Sequence, residues 1–159
     1  MVSDGRADRA RTSFLEAIRL KLHIVARGRI GRGPEADLVA RYAKRIVWPF
    51  AITELPETGG KVADLITPAR VIVLDETGNQ FTSTSLAKLL EGWRDEGIRE
   101  TRFLIGASDG LTDAERASAD HSIAFGSATW PHLLVRGMLA EQLYRATMII
   151  AGHPYHREG

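Results

Sequence analysis

Four stretches in the last third of the chain carry residue types able to bind a small molecule and act on it. Phe103-Leu-Ile-Gly-Ala-Ser-Asp-Gly110 and Phe125-Gly-Ser-Ala-Thr-Trp-Pro-His132 each set a short glycine-containing loop after an apolar run. Glu141-Gln-Leu-Tyr-Arg145 follows on a helix, and Gly152-His-Pro-Tyr-His-Arg-Glu158 forms the tail. Gly106 has no Cβ where the chain leaves a buried strand, which lets a ligand approach the backbone, although a tight turn asks for the same residue. In the second loop Gly126, Ser127, Ala128 and Thr129 lie between Phe125 and Trp130. That combination suits a flat ring held by backbone hydrogen bonds and apolar contact. His132 sits at a helix start with Arg136 one turn on and on the same face. Tyr155, His156 and Arg157 crowd the tail. The expectation is a small cofactor in the loops and a polyanionic substrate against the His/Arg/Tyr residues.

Those loops need strands to position them. Leu20 to Ala26 alternates in period two and reads as a first strand, with His23 facing solvent or a neighbouring element. Arg27-Gly-Arg-Ile-Gly-Arg-Gly33 is its exit loop. It lacks the Lys-Ser/Thr of a phosphate-binding P-loop and the spacing of a dinucleotide fingerprint, so it reads as a flexible connection. Its Arg27, Arg29 and Arg32 remain candidates for RNA backbone contact. Pro34 opens a helix whose apolar positions run Leu38, Val39, Tyr42, Ile46 and Val47 until Pro49 stops it. Phe50 to Leu55 is a second strand, Thr58-Gly-Gly-Lys61 is a turn, and Lys61 to Pro68 is too short to hold much helix.

Val71-Ile-Val-Leu74 is a continuous apolar run of the kind buried on both faces in a parallel sheet, with Asp75 to Gly78 as its turn. Ser83 or Thr84 caps a helix bearing Leu86, Leu89, Leu90 and Trp93. Phe103 to Ile105 is the next strand, Thr112 caps a short helix, and His121 to Phe125 is the last strand. Pro131 opens a long final helix with apolar residues around much of its circumference. So wide a surface predicts packing on the sheet and on a second copy of the chain. The pattern is α/β with a mostly parallel sheet flanked by helices. Ligands in such sheets lie beyond the carboxyl ends of the strands, which places Leu74, Gly106 and the loop from Phe125 to Trp130 at one edge.

Composition sets limits on function. The 159 residues and 17.5 kDa fit one domain, read as residues 20–159 after a tail at 1–19. A net charge of +1 is too balanced to signal nucleic-acid binding by itself. The absence of cysteine removes disulfides and thiolate metal sites, and no metal is expected. No run reaches the ~20 apolar residues of a membrane span, and the amino terminus has no apolar signal core. The expected location is cytoplasmic, away from membranes.

From Leu20 onward the chain resembles the small SPOUT-class RNA methyltransferases, specifically the ribosomal RNA large subunit methyltransferase H family. The resemblance rests on Leu20-Lys-Leu-His-Ile-Val-Ala26, Val73-Leu-Asp75, Leu104-Ile-Gly106 with Gly110-Leu111, and Trp130-Pro-His132. It continues through Leu134-Val-Arg136, Glu141-Gln-Leu-Tyr-Arg-Ala146 and His153-Pro-Tyr-His-Arg-Glu158. It implies a SPOUT-like domain with a C-terminal trefoil knot, a homodimer, and S-adenosyl-L-methionine as methyl donor. The implied reaction methylates N3 of a pseudouridine at position 1915 of 23S ribosomal RNA, on the assembled ribosome. Cofactor contacts would fall on Leu74, Gly106 and Phe125 through Trp130. Arg136, or else Arg157, would steady the anionic base. His156 or His132 would take its proton, and Tyr155 would orient it. Two alternatives stand beside this reading: a same-fold tRNA methyltransferase, and a non-catalytic RNA- or ribosome-binding dimer.

Overall fold

A computed structural model describes residues 18–156. Five strands and four helices follow one another: β1 (Lys21–Arg27), α1 (Pro34–Ala43), β2 (Phe50–Leu55), β3 (Ala69–Gln80), α2 (Ser83–Asp95), β4 (Glu100–Ile105), α3 (Asp113–Ala117), β5 (His121–Ala124) and α4 (His132–Ile150). The strands form one parallel sheet in the order β2-β1-β4-β3-β5. This is the α/β parallel architecture that the alternating pattern predicted. The fold reaches slightly further upstream than expected, because Ile18 is already part of the core. Residues 1–17, the rest of the predicted tail, lie outside the described residues, as does Arg157.

One sheet face makes the main core. Leu22, Ile24, Ile72, Phe103 and Ile105 pack with Leu86, Leu90 and Trp93 of α2 and Leu139 and Leu143 of α4. Burying such side chains is worth about 1.5–3 kcal/mol each, enough to fix which parity of each strand points inward. Helix α4 lies against both α1 and α2. Helix α1 ends at Ala43, short of the expected stop at Pro49. The amides of Arg45 and Ile46 return to Tyr42, and this turn delivers Ile46 and Trp48 to the core while Val47 faces outward.

The opposite parity holds a polar cluster that period-two reading missed. His23 is 3% exposed, Glu100 1% and Arg102 6%. Glu100 Oε2 accepts from His23 Nδ1 at 2.9 Å and from Arg102 Nε at 2.8 Å. Its other oxygen accepts the Ile66 amide at 3.0 Å, while Arg102 donates to the Ala63 carbonyl at 2.8 Å. His23 Nε2 pairs with the Thr53 hydroxyl at 2.7 Å. A buried ion must be paired and bonded to be tolerated, and here the partners also pin the irregular 56–68 segment across the sheet. That segment has no helix, as expected. Of the two expectations for His23, a neighbouring element and not solvent is what it faces, and β4 starts three residues earlier than its apolar run suggested.

Two more boundaries moved. Thr82, not Ser83 or Thr84, caps α2, in a capping box with Ser85. β3 continues past the expected turn at Asp75 to Gly78. Pairing with β5 slips there, so that Leu74 and Asn79 both face Ile123, and the intervening residues bulge from the sheet. The turn chemistry is local: Asp75 Oδ1 accepts the amide and hydroxyl of Thr77.

Candidate active site

The exits of β3, β4 and β5 open into a single cavity of about 270 Å³. Its floor is apolar, from Leu74, Ile105, Ile123 and Val135, and its rim is polar. Of the loop residues expected to hold a cofactor, Leu74, Gly106, Phe125, Gly126, Ala128, Thr129 and Trp130 line it. Ser127 is exposed and does not. The indole of Trp130 donates to the Phe125 carbonyl at 2.9 Å, which ties the two ends of that loop together and leaves the ring 42% exposed. Gly106 meets the demand of the tight turn that the sequence offered beside ligand approach. A Cβ there would lie 2.6 Å from the carbonyl carbon of Gly110 and 2.7 Å from the Leu111 amide nitrogen. The glycine lets the chain pass itself at a position that also lines the cavity.

The bulge after Leu74 supplies rim residues that the sequence pattern placed in a turn. Asp75 pairs with Arg116 at 3.0 Å. Glu76 accepts from the Thr129 hydroxyl at 2.5 Å, latching the bulge to the 125–130 loop. Burial opposes the charge on Asp75, but the Thr77 amide, Arg116 and the Thr77 hydroxyl outweigh it and hold the carboxyl below its usual range. Asp75, Glu76 and Asp109 give the rim a negative character.

His132 lines the cavity, as the first residue of α4. Arg136, one turn on, does not. It is 1% exposed, and its guanidinium donates to Glu54 Oε2 at 2.5 Å and to the Gly28 carbonyl at 2.9 Å. So enclosed a cation braces the fold, where the sequence suggested one free to meet a substrate. Arg27 differs from its expectation in the same way. Its side chain bonds Glu115 at 3.1 Å and the carbonyls of Pro56 and Gly59 at 2.8 Å each. Arg29 and Arg32, by contrast, stand exposed.

The tail folds back on the carboxyl half of α4. Glu141 Oε1 accepts Arg145 at 2.8 and 2.6 Å and the Tyr155 hydroxyl at 3.1 Å. Arg145 also meets His156 Nδ1 at 3.1 Å and stacks over the Tyr155 ring with 4.7 Å to its centroid. All three tyrosines of the chain gather here: Tyr144 touches Tyr42 at 6.0 Å and Tyr155 at 4.7 Å. Burial first, then the neighbouring Tyr42 hydroxyl and Glu141, push the Tyr155 phenol up and keep it protonated. None of these tail residues lines the cavity. His132 and Glu141 are nine positions apart, about 14 Å along the axis at ~1.5 Å per residue. Tyr155 and His156 therefore do not reach the pocket of their own chain.

Among the described residues no group of His, Asp and Glu is gathered that would hold a metal ion, and no helix is long and apolar enough to cross a membrane.

Known proteins resemble this chain in sequence and in fold. A family model described as a predicted SPOUT methyltransferase matches residues 20–156. The ribosomal RNA large subunit methyltransferase H of Sphingopyxis alaskensis is 65% identical over 138 residues, covering 87% of this chain and 97% of that protein. The protein of that name from Zymomonas mobilis is 54% identical over 142 residues, covering 88% and 100%. Among solved structures, a probable methyltransferase from Bordetella pertussis superposes with a TM-score of 0.56 at 12% identity, over 85% of this chain and 98% of that one. A probable methylase family protein from Haemophilus influenzae gives 0.57 at 10%, over 89% and 72%. At such identities those two likenesses speak for the fold alone. With three strand exits meeting in one cavity and a family match along nearly all the described residues, the chain belongs to the SPOUT methyltransferases, within the ribosomal RNA large subunit methyltransferase H family.

Proposed function

We propose that this protein transfers a methyl group from S-adenosyl-L-methionine to N3 of a pseudouridine in large-subunit ribosomal RNA, working as a homodimer on the assembled ribosome. The observation that carries the reading is the convergence of the β3, β4 and β5 exits on one cavity. The cavity chemistry fits the cofactor. An apolar floor and a loop rich in free backbone groups suit the adenosyl ring, and the carboxylates of the rim suit a ligand with cationic sulfonium and ammonium groups. When bound, the cofactor supplies an electrophilic methyl group.

The residues of the chain do the positioning, and positioning is a large share of what a bimolecular methyl transfer requires. Leu74, Phe125 and Trp130 would hold the ring, and the Glu76–Thr129 bond fixes the loop that carries two of them. His132 is an imidazole lining the cavity, and in this reading it takes the imide proton. Arg136 is a positioning residue, since its guanidinium is already committed to Glu54 and Gly28. Tyr155 and His156 lie too far along α4 to reach the cavity of their own chain. A second copy would bring its tail to this pocket, and half-exposed Leu133, Leu134 and Met138 on α4 offer it an apolar face. Arg29 and Arg32 then meet RNA phosphates.

The test is mass spectrometry of ribosomal RNA from cells with and without the gene. Loss of one methyl group from N3 of a large-subunit pseudouridine is the expected result. Identical spectra overturn the assignment. Calorimetry with S-adenosyl-L-methionine separates an inactive RNA-binding relative, which would give no heat.

A further inference from the structure

Residues 27–33 include three glycines at positive φ: Gly28 at 91°, Gly31 at 62° and Gly33 at 143°. A segment so rich in unrestricted backbone has no fixed shape of its own. It nevertheless carries the exposed Arg29 and Arg32. Beside the bond from the Gly28 amide to the Leu55 carbonyl at 2.8 Å, two side chains hold it in one conformation. Glu54 Oε2 accepts the Ile30 amide at 2.8 Å, and the same oxygen receives Arg136 Nη1 at 2.5 Å. Arg136 Nη2 reaches on to the Gly28 carbonyl at 2.9 Å. The loop also abuts the cavity wall, since a Cβ on Gly28 would lie 3.4 Å from His132 Nε2. A single carboxylate oxygen thus joins β2, the loop and α4.

Charge alone argues against a carboxylate here. Arg29 is close enough to Glu54 to help hold the carboxyl below its usual range, behind the Ile30 amide and Arg136. An acidic group beside a cation meant for phosphate weakens the attraction. A loop that bound RNA by net charge only would bind better without it. A loop that needs a defined shape would bind worse.

We propose that Glu54 is a positioning residue for RNA: bridging Arg136 and the Ile30 amide, it fixes the loop so that Arg29 and Arg32 meet phosphates of the ribosomal substrate. This rests on the functional reading above. The test uses ribosomes from cells lacking the gene, with tritiated methyl transfer by wild type, Glu54→Gln and Glu54→Asp. Removing a charge-assisted bond from the loop should raise KM for ribosomes about tenfold in Glu54→Gln. Turnover at saturating ribosome should change less than about twofold. Glu54→Asp keeps the charge and shortens the reach, so its KM should also rise. In an Arg29→Ala/Arg32→Ala background the Glu54→Gln effect should vanish, because the loop then has nothing to present.

Thermal unfolding shows which of the two Glu54 variants is folded, and either one decides. Exchange of the Ile30 amide should quicken in both. A KM that falls or stays level in the folded variant overturns the inference alone. An effect undiminished in the double-arginine background also overturns it, since Glu54 would then act elsewhere. A wild type that methylates no ribosome overturns the functional reading and this inference together.

Discussion

Two clusters in this molecule are built from the same side chains and behave differently. His23, Glu100 and Arg102 meet beneath the 56–68 segment, and Glu141, Arg145 and His156 meet with Tyr155 at the end of α4. Each contains a histidine, a glutamate and an arginine within bonding distance. In the first, every residue is under 7% exposed, and Glu100 spends its bonds on two side chains and a backbone amide. In the second, all four residues are half-buried, with edges of Arg145, Tyr155 and His156 reachable from outside. The contrast teaches that residue type does not separate scaffold from site. Access to water and substrate does, and that depends on what covers the cluster.

The comparison can be broken most sharply at Glu100. Glu100→Ala leaves Arg102 and His23 buried without their acceptor and should cost about 3–5 kcal/mol in urea unfolding. The folded variant should still turn over within about twofold of wild type. A loss below about 1 kcal/mol would mean that the cluster is not a fastener. At the tail the effects should invert. Arg145→Ala should lower kcat/KM for ribosomes about a hundredfold, roughly 2.7 kcal/mol of transition-state stabilisation. Its stability should shift by less than about 1 kcal/mol, the usual ceiling for a partly solvated i,i+4 pair. If Arg145→Ala unfolds the protein and spares the rate, the two clusters have been assigned the wrong way round.

Acid should reveal the buried cluster as well. Burial lowers the His23 pKa from its ordinary 6.5, more than the bond and charge of Glu100 raise it, with Lys21 and Arg102 adding to the lowering. Below pH 6.5 the unfolded chain therefore binds a proton that folded His23 refuses, and stability falls. Burial disfavours the Glu100 charge, yet Ile66, His23 and Arg102 together set its pKa below the ordinary 4.5. Its stabilisation is present above pH 4.5 and is lost as pH drops through the lowered value. Melting temperature should thus decline from pH 7 to pH 4. His23→Gln should flatten the upper part of that decline, and Arg145→Ala should leave it alone. A wild-type profile that is level or rises on acidification would contradict the assignment. The smallest change is expected from Tyr155→Phe, which loses one hydroxyl bond to Glu141 worth about 0.5–1.5 kcal/mol. A fewfold loss in rate with a slightly lowered melting temperature is expected, and an unchanged rate would take that hydroxyl out of the site.

Much of this was legible in the residues. Uninterrupted apolar runs at Val71 to Leu74 and Phe103 to Ile105 announced buried parallel strands, because only a strand covered on both faces has no polar parity. From there the edge holding Leu74, Gly106 and the 125–130 loop followed. The rim was not legible. Asp75 and Glu76 read as an ordinary turn, and their placement depends on a register slip against β5 that no local pattern encodes. Arg136 and His132 share a helix face, yet one lines the cavity and the other is sealed beneath it. The partners of Arg136 come from residues 82 and 108 positions away. Glu54 escaped notice for the same reason.

Taken alone, the amino-acid order determined the element types, their sequence along the chain and the loops able to hold a ring, since these follow from side-chain periodicity and from glycine and proline placement. The folded structure decided which charged residues are braces and which are free. That choice depends on desolvation and on acceptors brought from distant strands, and neither exists until the sheet has assembled.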